Sequence, residues 1–219
     1  MKIRYGNKQL LFRLGHGLTP VVGILISFTV LVFLIQQVEQ KFFASVFGFI
    51  PSFAVGKFMI WQFVTALFLH STFAHLAFNM LALYMFGSGV EKILGGREFI
   101  RYFLLCGIGG FILTYLLYLL GVTHNGGYIG ASSAVYGLLA GYSLLYSEST
   151  IFLFFLIPMK AKWLAILFGG VEMMFLLKQD GINHIGHLGG LITGLLYLTI
   201  FKKGNVIRRV SIFEKTSGA

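Results

Sequence analysis

The chain has 219 residues, of which 57% are hydrophobic and 11% are charged, and its mean hydropathy is +0.85. A domain with a hydrated surface needs many more charged residues, so this composition excludes a soluble domain and predicts a protein that lies in a lipid bilayer. The formal net charge of +10 is compatible with nucleic-acid binding, but the placement of the charges indicates membrane topology instead.

Six stretches of the chain are predicted to be membrane-spanning helices. A span needs about 20 apolar residues to cross a hydrocarbon core of roughly 30 Å, and five stretches meet this condition readily. The fourth stretch in chain order is shorter and contains three serines, and we interpret it as a span because its flanks fit one. The predicted spans cover residues 18–38, 73–90, 99–122, 131–146, 163–177 and 182–201.

The predicted fold class is therefore an all-α membrane protein, with a bundle of six transmembrane helices over residues 18–202. Residues 1–17 and 203–219 are predicted to be basic cytoplasmic tails. The first span is expected to be retained, because no small-residue cleavage site follows it. Cys106 lies inside the third predicted span, where it has no second cysteine to pair with and is expected to serve packing.

The lysines and arginines fall unevenly on the two sides of the predicted membrane. Of the 17 in the chain, 14 lie on the side of the termini and only Lys41, Lys57 and Lys178 lie on the other. Cytoplasmic loops carry such an excess. This distribution predicts a multi-pass protein of a bacterial plasma membrane with both termini in the cytoplasm, in contact with lipid and without a nucleic-acid partner.

The connections between the predicted spans differ in length and character. Residues 39–71 form a long connection that is rich in phenylalanine and poor in charge, so we expect it to lie in the outer membrane interface. Residues 121–130 form a glycine-rich outer loop, in which His124 and Asn125 are interpreted as polar loop residues. Residues 147–162 form an inner loop.

Polar side chains are costly inside a membrane and usually mark function or hydrogen bonding between helices. Counted at about 1.5 Å per residue from the first inner charge of each span, Ser132, His187 and His75 each lie roughly 22 to 24 Å from the inner surface. Asn79, one turn along from His75, lies roughly 18 Å from it. Three different helices are thus predicted to carry polar groups in one layer.

Small residues recur every four positions in two of the predicted spans. This spacing lets two helix backbones approach closely, and the first turns of these two spans contain Ser132 and His187. A hydrogen bond between those side chains is therefore plausible. The small residues are Ser133, Gly137 and Gly141 in the fourth span and Gly186, Gly190 and Gly194 in the sixth.

These groups match the chemistry of a serine nucleophile. A serine hydroxyl needs a base within hydrogen-bond reach, and His187 can be the general base of Ser132. The oxyanion then needs donors. The backbone N–H of Ser132, near a helix N-terminus, and the side chains of His75 and Asn79 on one helix face are the candidate donors.

No carboxylate is expected at the depth of His187, because Asp180 lies in an outer turn and Glu172 about halfway along the fifth span. The sequence therefore predicts a Ser–His dyad and not a three-member triad. His184 is interpreted as a structural histidine, with a role as the base left open. His70 is expected to bond loop backbone, and Glu172 either bonds a neighbouring helix or helps to gate lateral access.

Five motifs in this order and spacing resemble the rhomboid intramembrane serine proteases. The resemblance covers nearly the whole chain and implies Ser132 as nucleophile, His187 as general base, and His75 and Asn79 as oxyanion ligands. The motifs are residues 61–70 (WQFVTALFLH), 75–79 (HLAFN), 91–95 (EKILG), 130–137 (GASSAVYG) and 184–190 (HIGHLGG).

Two positions depart from the commonest family pattern. The family often has glycine after the nucleophile, where this chain has Ser133, and arginine after the loop tryptophan, where it has Gln62; the latter puts only a hydrogen bond within the loop in doubt. The resemblance implies cleavage of transmembrane protein substrates after a small residue, access between the second and fifth spans, and no cofactor.

Two other classes of function remain open at this point. A catalytically inactive relative would bind and escort membrane proteins, although such a chain is expected to lack the nucleophile or the base. A metal transporter would use His70, His75, His184 and His187 as ligands. That hypothesis leaves Ser132 and Asn79 without a role.

Overall fold

The structure is a computed structural model that describes residues 17–153, 156–178 and 180–201. The predicted tails lie outside the described residues except for Gly17. Within the described parts the chain is mainly helical. The principal helices are α1 (Pro20–Gln36), α2 (Gln40–Phe47), α3 (Pro51–Ala54), α4 (Gln62–Thr65), α5 (Phe73–Ala82), α6 (Ser88–Leu94), α7 (Gly96–Leu119), α8 (Ser132–Leu145), α9 (Leu164–Met174) and α10 (His184–Leu196).

Each predicted span contains a helix, but the helices differ greatly in length. A π-helical turn over Leu83–Gly87 joins α5 and α6 into one helix of 22 residues, and α7 has 24. These two are long and apolar enough to cross a membrane, while α1 and α8 are shorter apolar helices, as is α10 with the turn that follows it. The helix of the fifth predicted span, α9, has only 11 residues.

Helices α7, α8 and α10 form the centre of the bundle. An added Cβ at Gly194 of α10 would lie 2.8 Å from the carbonyl oxygen of Gly137 in α8, closer than real Cβ atoms come. Tyr102 of α7 donates a hydrogen bond of 2.6 Å to the same carbonyl. The close approach of the fourth and sixth predicted spans is confirmed, and glycine makes it possible because it lacks a side chain.

The buried carboxylate of Glu91 anchors the start of α1. It accepts hydrogen bonds from the Thr19 hydroxyl at 2.5 Å, from the Val22 backbone N–H at 2.9 Å and from the Val21 N–H at 3.2 Å. A negative charge at a helix N-terminus satisfies N–H groups that have no partner within the helix. Glu91 therefore ties α6 to α1.

The connection before α5 is folded by hydrogen bonds from a buried glutamine. Gln62 is fully buried; its Oε1 accepts a bond of 3.1 Å from the Ile50 N–H, and its Nε2 donates to the carbonyls of Ser45 and Val46, each at 3.3 Å. Gln62 thus makes hydrogen bonds within the loop that its difference from arginine had put in doubt.

The predicted inner loop contains a β-hairpin, which the all-α prediction did not include. Strand β1 (Thr150–Leu153) pairs antiparallel with β2 (Ile157–Lys160). The segment is rich in isoleucine and phenylalanine, which favour strands. Pro158 is tolerated in β2 because the hairpin has only two strands, so that each is an edge.

Candidate active site

Ser132 and His187 lie at the starts of two helices that touch. Ser132 is the first residue of α8, and His187 lies in the first turn of α10. The Ser132 Oγ is 2.7 Å from the His187 Nε2, which is within hydrogen-bond distance. The serine hydroxyl and the imidazole therefore lie within hydrogen-bond reach of each other, and His187 is only 7% exposed.

The backbone around α10 explains why the two groups meet. Asn183 caps α10, because its side-chain oxygen accepts a hydrogen bond of 2.9 Å from the Gly186 N–H. The same oxygen accepts a bond of 3.0 Å from the Thr114 hydroxyl of α7. A Cβ at Gly190 would collide with the backbone carbonyl oxygen of Ser133. The cap fixes where α10 begins, and the glycine sets its distance from α8.

The imidazole of His187 is held face to face with the ring of Tyr136. The two ring centroids are 4.4 Å apart and the planes differ by 7°. Tyr136 lies one helical turn after Ser132 on α8, so the same helix carries the hydroxyl and the ring that orients its partner. The sequence reasoning did not assign Tyr136 a role.

Glu172 lies beside His187, contrary to the prediction that no carboxylate reaches this depth. Its Oε1 is 3.0 Å from the His187 Nδ1, although the ring is turned so that no hydrogen bond of good geometry forms. The prediction was wrong because α9 ends at Met174. Glu172 therefore lies two residues from a helix end and level with the start of α10, not halfway along a full span.

The carboxylate of Glu172 has two further partners. The Tyr136 hydroxyl donates a short hydrogen bond to Oε1, and the His184 Nδ1 is 2.6 Å from Oε2. The residue is only 4% exposed. A buried carboxylate is stable only when its oxygens are paired, and these three contacts supply the pairing. A gating role for Glu172 has no support in these contacts.

His184 connects the buried carboxylate to the outer turn. Its Nε2 lies 3.2 and 3.4 Å from the two carboxylate oxygens of Asp180. Some desolvation opposes ionisation of Asp180, but bonds from the Ile182 N–H, Lys178 and His184 together lower its pKa to about 2. Asp180 is thus a carboxylate at neutral pH, and His184 lies between two acids.

His75 lies near Ser132, with Gly130 between them. Gly130, at φ +126°, has its Cβ position 2.7 Å from the His75 ring and 3.8 Å from the Ser132 Oγ. A side chain there would fill the space between the two. The Asn79 side chain donates a hydrogen bond of 2.9 Å to the His75 carbonyl, which leaves its second N–H for another acceptor.

The His70 side chain bonds the backbone next to the nucleophile. Its Nε2 accepts a hydrogen bond of 3.4 Å from the backbone N–H of Ala131, next to Ser132. The backbone N–H of His70 donates to the Gln36 Oε1 at 3.1 Å. Burial, with a smaller contribution from His75, lowers its pKa to about 3. A neutral imidazole can accept the bond from Ala131. The expectation of a backbone contact is confirmed.

The four histidines proposed for a metal transporter do not form one site. In the part of the chain that the structure describes, the only cluster of three histidine, cysteine or acidic side chains with the spacing of a metal site is Glu172, His184 and His187, whose nearest polar atoms lie within 4.8 Å of one another. His70 and His75 pack against each other instead, with ring centroids 4.9 Å apart.

Comparison with known proteins gives a consistent set of relatives. A family model described as "Rhomboid domain" matches residues 57–204. The chain is 31% identical over 123 residues to Rhomboid protein 1, mitochondrial, from Saccharomyces cerevisiae, a match that covers 54% of this chain and 35% of that protein.

Two bacterial relatives carry protease names. The putative rhomboid protease YdcA from Bacillus subtilis is 28% identical over 145 residues, which is 65% of this chain and 69% of YdcA. The rhomboid protease GluP from Bacillus subtilis is 28% identical over 134 residues, which is 61% of this chain and 24% of GluP. The match thus spans only about a third of the yeast protein and a quarter of GluP.

Proposed function

Because the chain belongs to the rhomboid family, we propose that it is an intramembrane serine endopeptidase that cleaves transmembrane segments of other membrane proteins. The family makes the chain an integral membrane protein. The region that matches the family includes Ser132, His187, His75 and Asn79, and two relatives are named as proteases. The single observation that carries the proposal is the 2.7 Å contact between the Ser132 Oγ and the His187 Nε2.

The proposed reaction is acyl transfer to serine followed by hydrolysis. The Ser132 Oγ attacks the scissile carbonyl carbon while its proton passes to the His187 Nε2. The protonated ring then gives that proton to the leaving amine, and the peptide C–N bond breaks. Water next attacks the acyl-enzyme with His187 as base, which releases the acid and restores Ser132. No cofactor takes part.

The oxyanion is proposed to be bound by the Ser132 backbone N–H together with the His75 and Asn79 side chains. The N–H groups of the first helical turn have no partner within the helix, and Ser132 begins α8. The position of His75 across Gly130 from the Ser132 hydroxyl supports a donor on that side. Such donors act most strongly where water is excluded.

The proposed topology has six spans over residues 18–202 with both termini in the cytoplasm of a bacterial cell, and residues 39–71 in the outer interface. The 14 to 3 distribution of lysine and arginine supports this orientation. Substrates are proposed to reach the site between α5 and α9, on the family resemblance. Large apolar side chains such as Phe78 and Met174 are exposed on these helices, as lipid contact requires.

Cleavage assays with two substitutions test the function. The chain is purified in detergent and offered a model transmembrane substrate, and wild type is compared with Ser132→Ala and His187→Ala. Wild type is expected to cleave and both variants to be inactive. A fluorophosphonate probe is expected to label wild type and not Ser132→Ala. Cleavage that survives in either variant would refute the dyad.

The same assays separate the other two functions. An escort protein would bind the substrate without cleaving it and would not react with the probe. We do not propose the escort function, because the chain retains Ser132 and His187. A metal-dependent protein would lose its activity when a chelator is added.

A further inference from the structure

Glu172 contacts the base on the side away from the nucleophile. The Ser132 Oγ is 2.7 Å from the His187 Nε2, and the Glu172 Oε1 is 3.0 Å from the His187 Nδ1. The two contacts use the two different ring nitrogens. A carboxylate in this position favours the tautomer that carries its proton on Nδ1, so that the lone pair of Nε2 is available to Ser132.

The carboxylate is held in place by groups other than His187. The Tyr136 hydroxyl donates to Oε1, and His184 lies against Oε2. Tyr136 also stacks on the His187 ring with nearly parallel planes, so one side chain contacts both the base and the carboxylate.

His184 contacts two carboxylates at once. It lies 2.6 Å from one carboxylate and 3.2 Å from another, and a neutral imidazole has only one N–H to donate. Only the doubly protonated ring can donate to both Glu172 and Asp180. A contiguous row of polar contacts thus leads from Ser132 through His187, Glu172 and His184 to Asp180 in the outer turn.

We infer that Glu172 is a positioning residue that converts the proposed dyad into a Ser132–His187–Glu172 triad, with Tyr136 and His184 holding the carboxylate in place. The inference rests on the proposed function. In the reaction Glu172 stays a carboxylate: it orients the Nδ1–H of His187 and stabilises the imidazolium that forms when the Nε2 takes the Ser132 proton. No proton passes to Glu172.

Kinetics of Glu172→Gln test this role. The amide can present an N–H to Nδ1 and so favour the wrong tautomer, and kcat is expected to fall by about 10²- to 10⁴-fold with KM within about twofold of wild type. Glu148→Gln makes the same change at an exposed site paired with Lys162 and is the matched control. It is expected to keep the wild-type kcat and KM.

The pH profile separates positioning from a general structural role. Removing the negative charge beside His187 makes the protonated ring less stable, so the acidic limb of the kcat/KM profile is expected to move to lower pH in Glu172→Gln. The other titratable groups that face His187 are His75 from α5, Tyr136 from α8 and His184 from α10. The variant leaves all three in the chain, and it removes the carboxylate that Tyr136 and His184 contact.

Glu172→Asp decides the question if Glu172→Gln does not fold. Aspartate keeps the negative charge, but its side chain is one methylene shorter, which moves the carboxylate away from His187. An intermediate kcat with an unchanged KM is therefore expected. The inference would be overturned if a folded Glu172→Gln kept the wild-type kcat and pH profile. If Glu172→Gln does not fold, the same result for Glu172→Asp would overturn it. Loss of wild-type activity with a chelator would overturn it too, because the cluster would then hold a metal ion.

Ser132→Ala and Glu172→Gln together distinguish failure of this inference from failure of the proposed function. If Ser132→Ala remains active, the serine mechanism itself is wrong. If Ser132→Ala is inactive while folded Glu172→Gln keeps full activity, the dyad stands and only the role of Glu172 is refuted.

Discussion

Replacing Gly190 with alanine is expected to slow proteolysis strongly by separating α10 from α8. The added Cβ would meet the carbonyl oxygen, carbonyl carbon and Cα of Ser133. These are backbone atoms of a helix, which cannot rotate away as a side chain can. The collision must therefore be relieved by movement of one helix relative to the other.

The expected magnitude follows from how close the two helices lie. A Cβ needs at least 3.0 Å from such atoms, so relief requires a separation on the order of 1 Å. The contact between Ser132 Oγ and His187 Nε2 would lengthen from 2.7 Å to about 3.7 Å, beyond hydrogen-bond distance. A misplacement of about 1 Å costs about 10²-fold in rate, and overpacking costs about 1–3 kcal/mol in stability.

The assay measures substrate cleavage, fluorophosphonate labelling and thermal unfolding of the purified variants in the same detergent. Gly170→Ala is the matched control, because a Cβ at Gly170 in α9 meets nothing within 4 Å and alanine favours a helix. It is expected to keep wild-type activity and stability. Wild-type cleavage by Gly190→Ala would refute the claim that this glycine sets the distance between nucleophile and base.

Three further predictions concern residues outside the proposed site. Glu91→Gln is expected to lower the free energy of unfolding by about 1–3 kcal/mol, because it removes a charged acceptor from the N–H groups that start α1. Cleavage is expected to be kept, and denaturation and cleavage assays check both results. Gln62→Ala leaves the Ile50 N–H without its acceptor and is expected to cost about 1–3 kcal/mol on the same measurement. The pKa of His70 is lowered in the folded chain, so as the pH falls the unfolded chain takes up a proton at His70 before the folded chain does. Wild type is therefore expected to lose stability as the pH falls from 6.5 towards about 3. His70→Gln should show less of this loss when unfolding is followed across that range, and an unchanged pH dependence would contradict the assignment.

The approach of the nucleophile and base helices could be predicted because it depends on local features of the sequence. Small residues at four-residue spacing mark a helix face that allows close contact, and Gly190 and Gly194 lie where the structure has those contacts. The first turns of the two helices then carry Ser132 and His187 together. This part of the site depends on short-range patterns, which a single sequence contains.

The position of Glu172 could not be predicted because it depends on where α9 ends. The apolar run of residues 163–177 matches a span in composition, and a full-length helix would put the carboxylate near its middle. The helix ends at Met174, followed by a turn whose backbone bonds include the Lys178 N–H to the Phe175 carbonyl. One signal was available: a carboxylate in a membrane segment requires a partner, and His184, interpreted as a structural histidine, was a candidate.

The hairpin of β1 and β2 was missed for a related reason. Apolar residues without clear periodicity fit a helix, a strand or a packed loop, and only the pairing of Ile151 with Met159 decides among them. Pairing is a contact between separate segments, so local propensity alone does not reveal it.

The short helices and the polar cluster are two aspects of one arrangement. A polar side chain in the middle of a long span needs a partner from another helix, whereas one at a helix end also has turn backbone and neighbouring ends within reach. Here α8 begins at Ser132, α10 begins at His184 and α9 ends two residues after Glu172. The contacts that lead from Ser132 to Asp180 therefore involve residues at three helix ends. Lengthening any of these helices through the cluster would remove partners from buried polar groups, so we expect helix length in this region to be set by the chemistry of the site and not by the thickness of the bilayer.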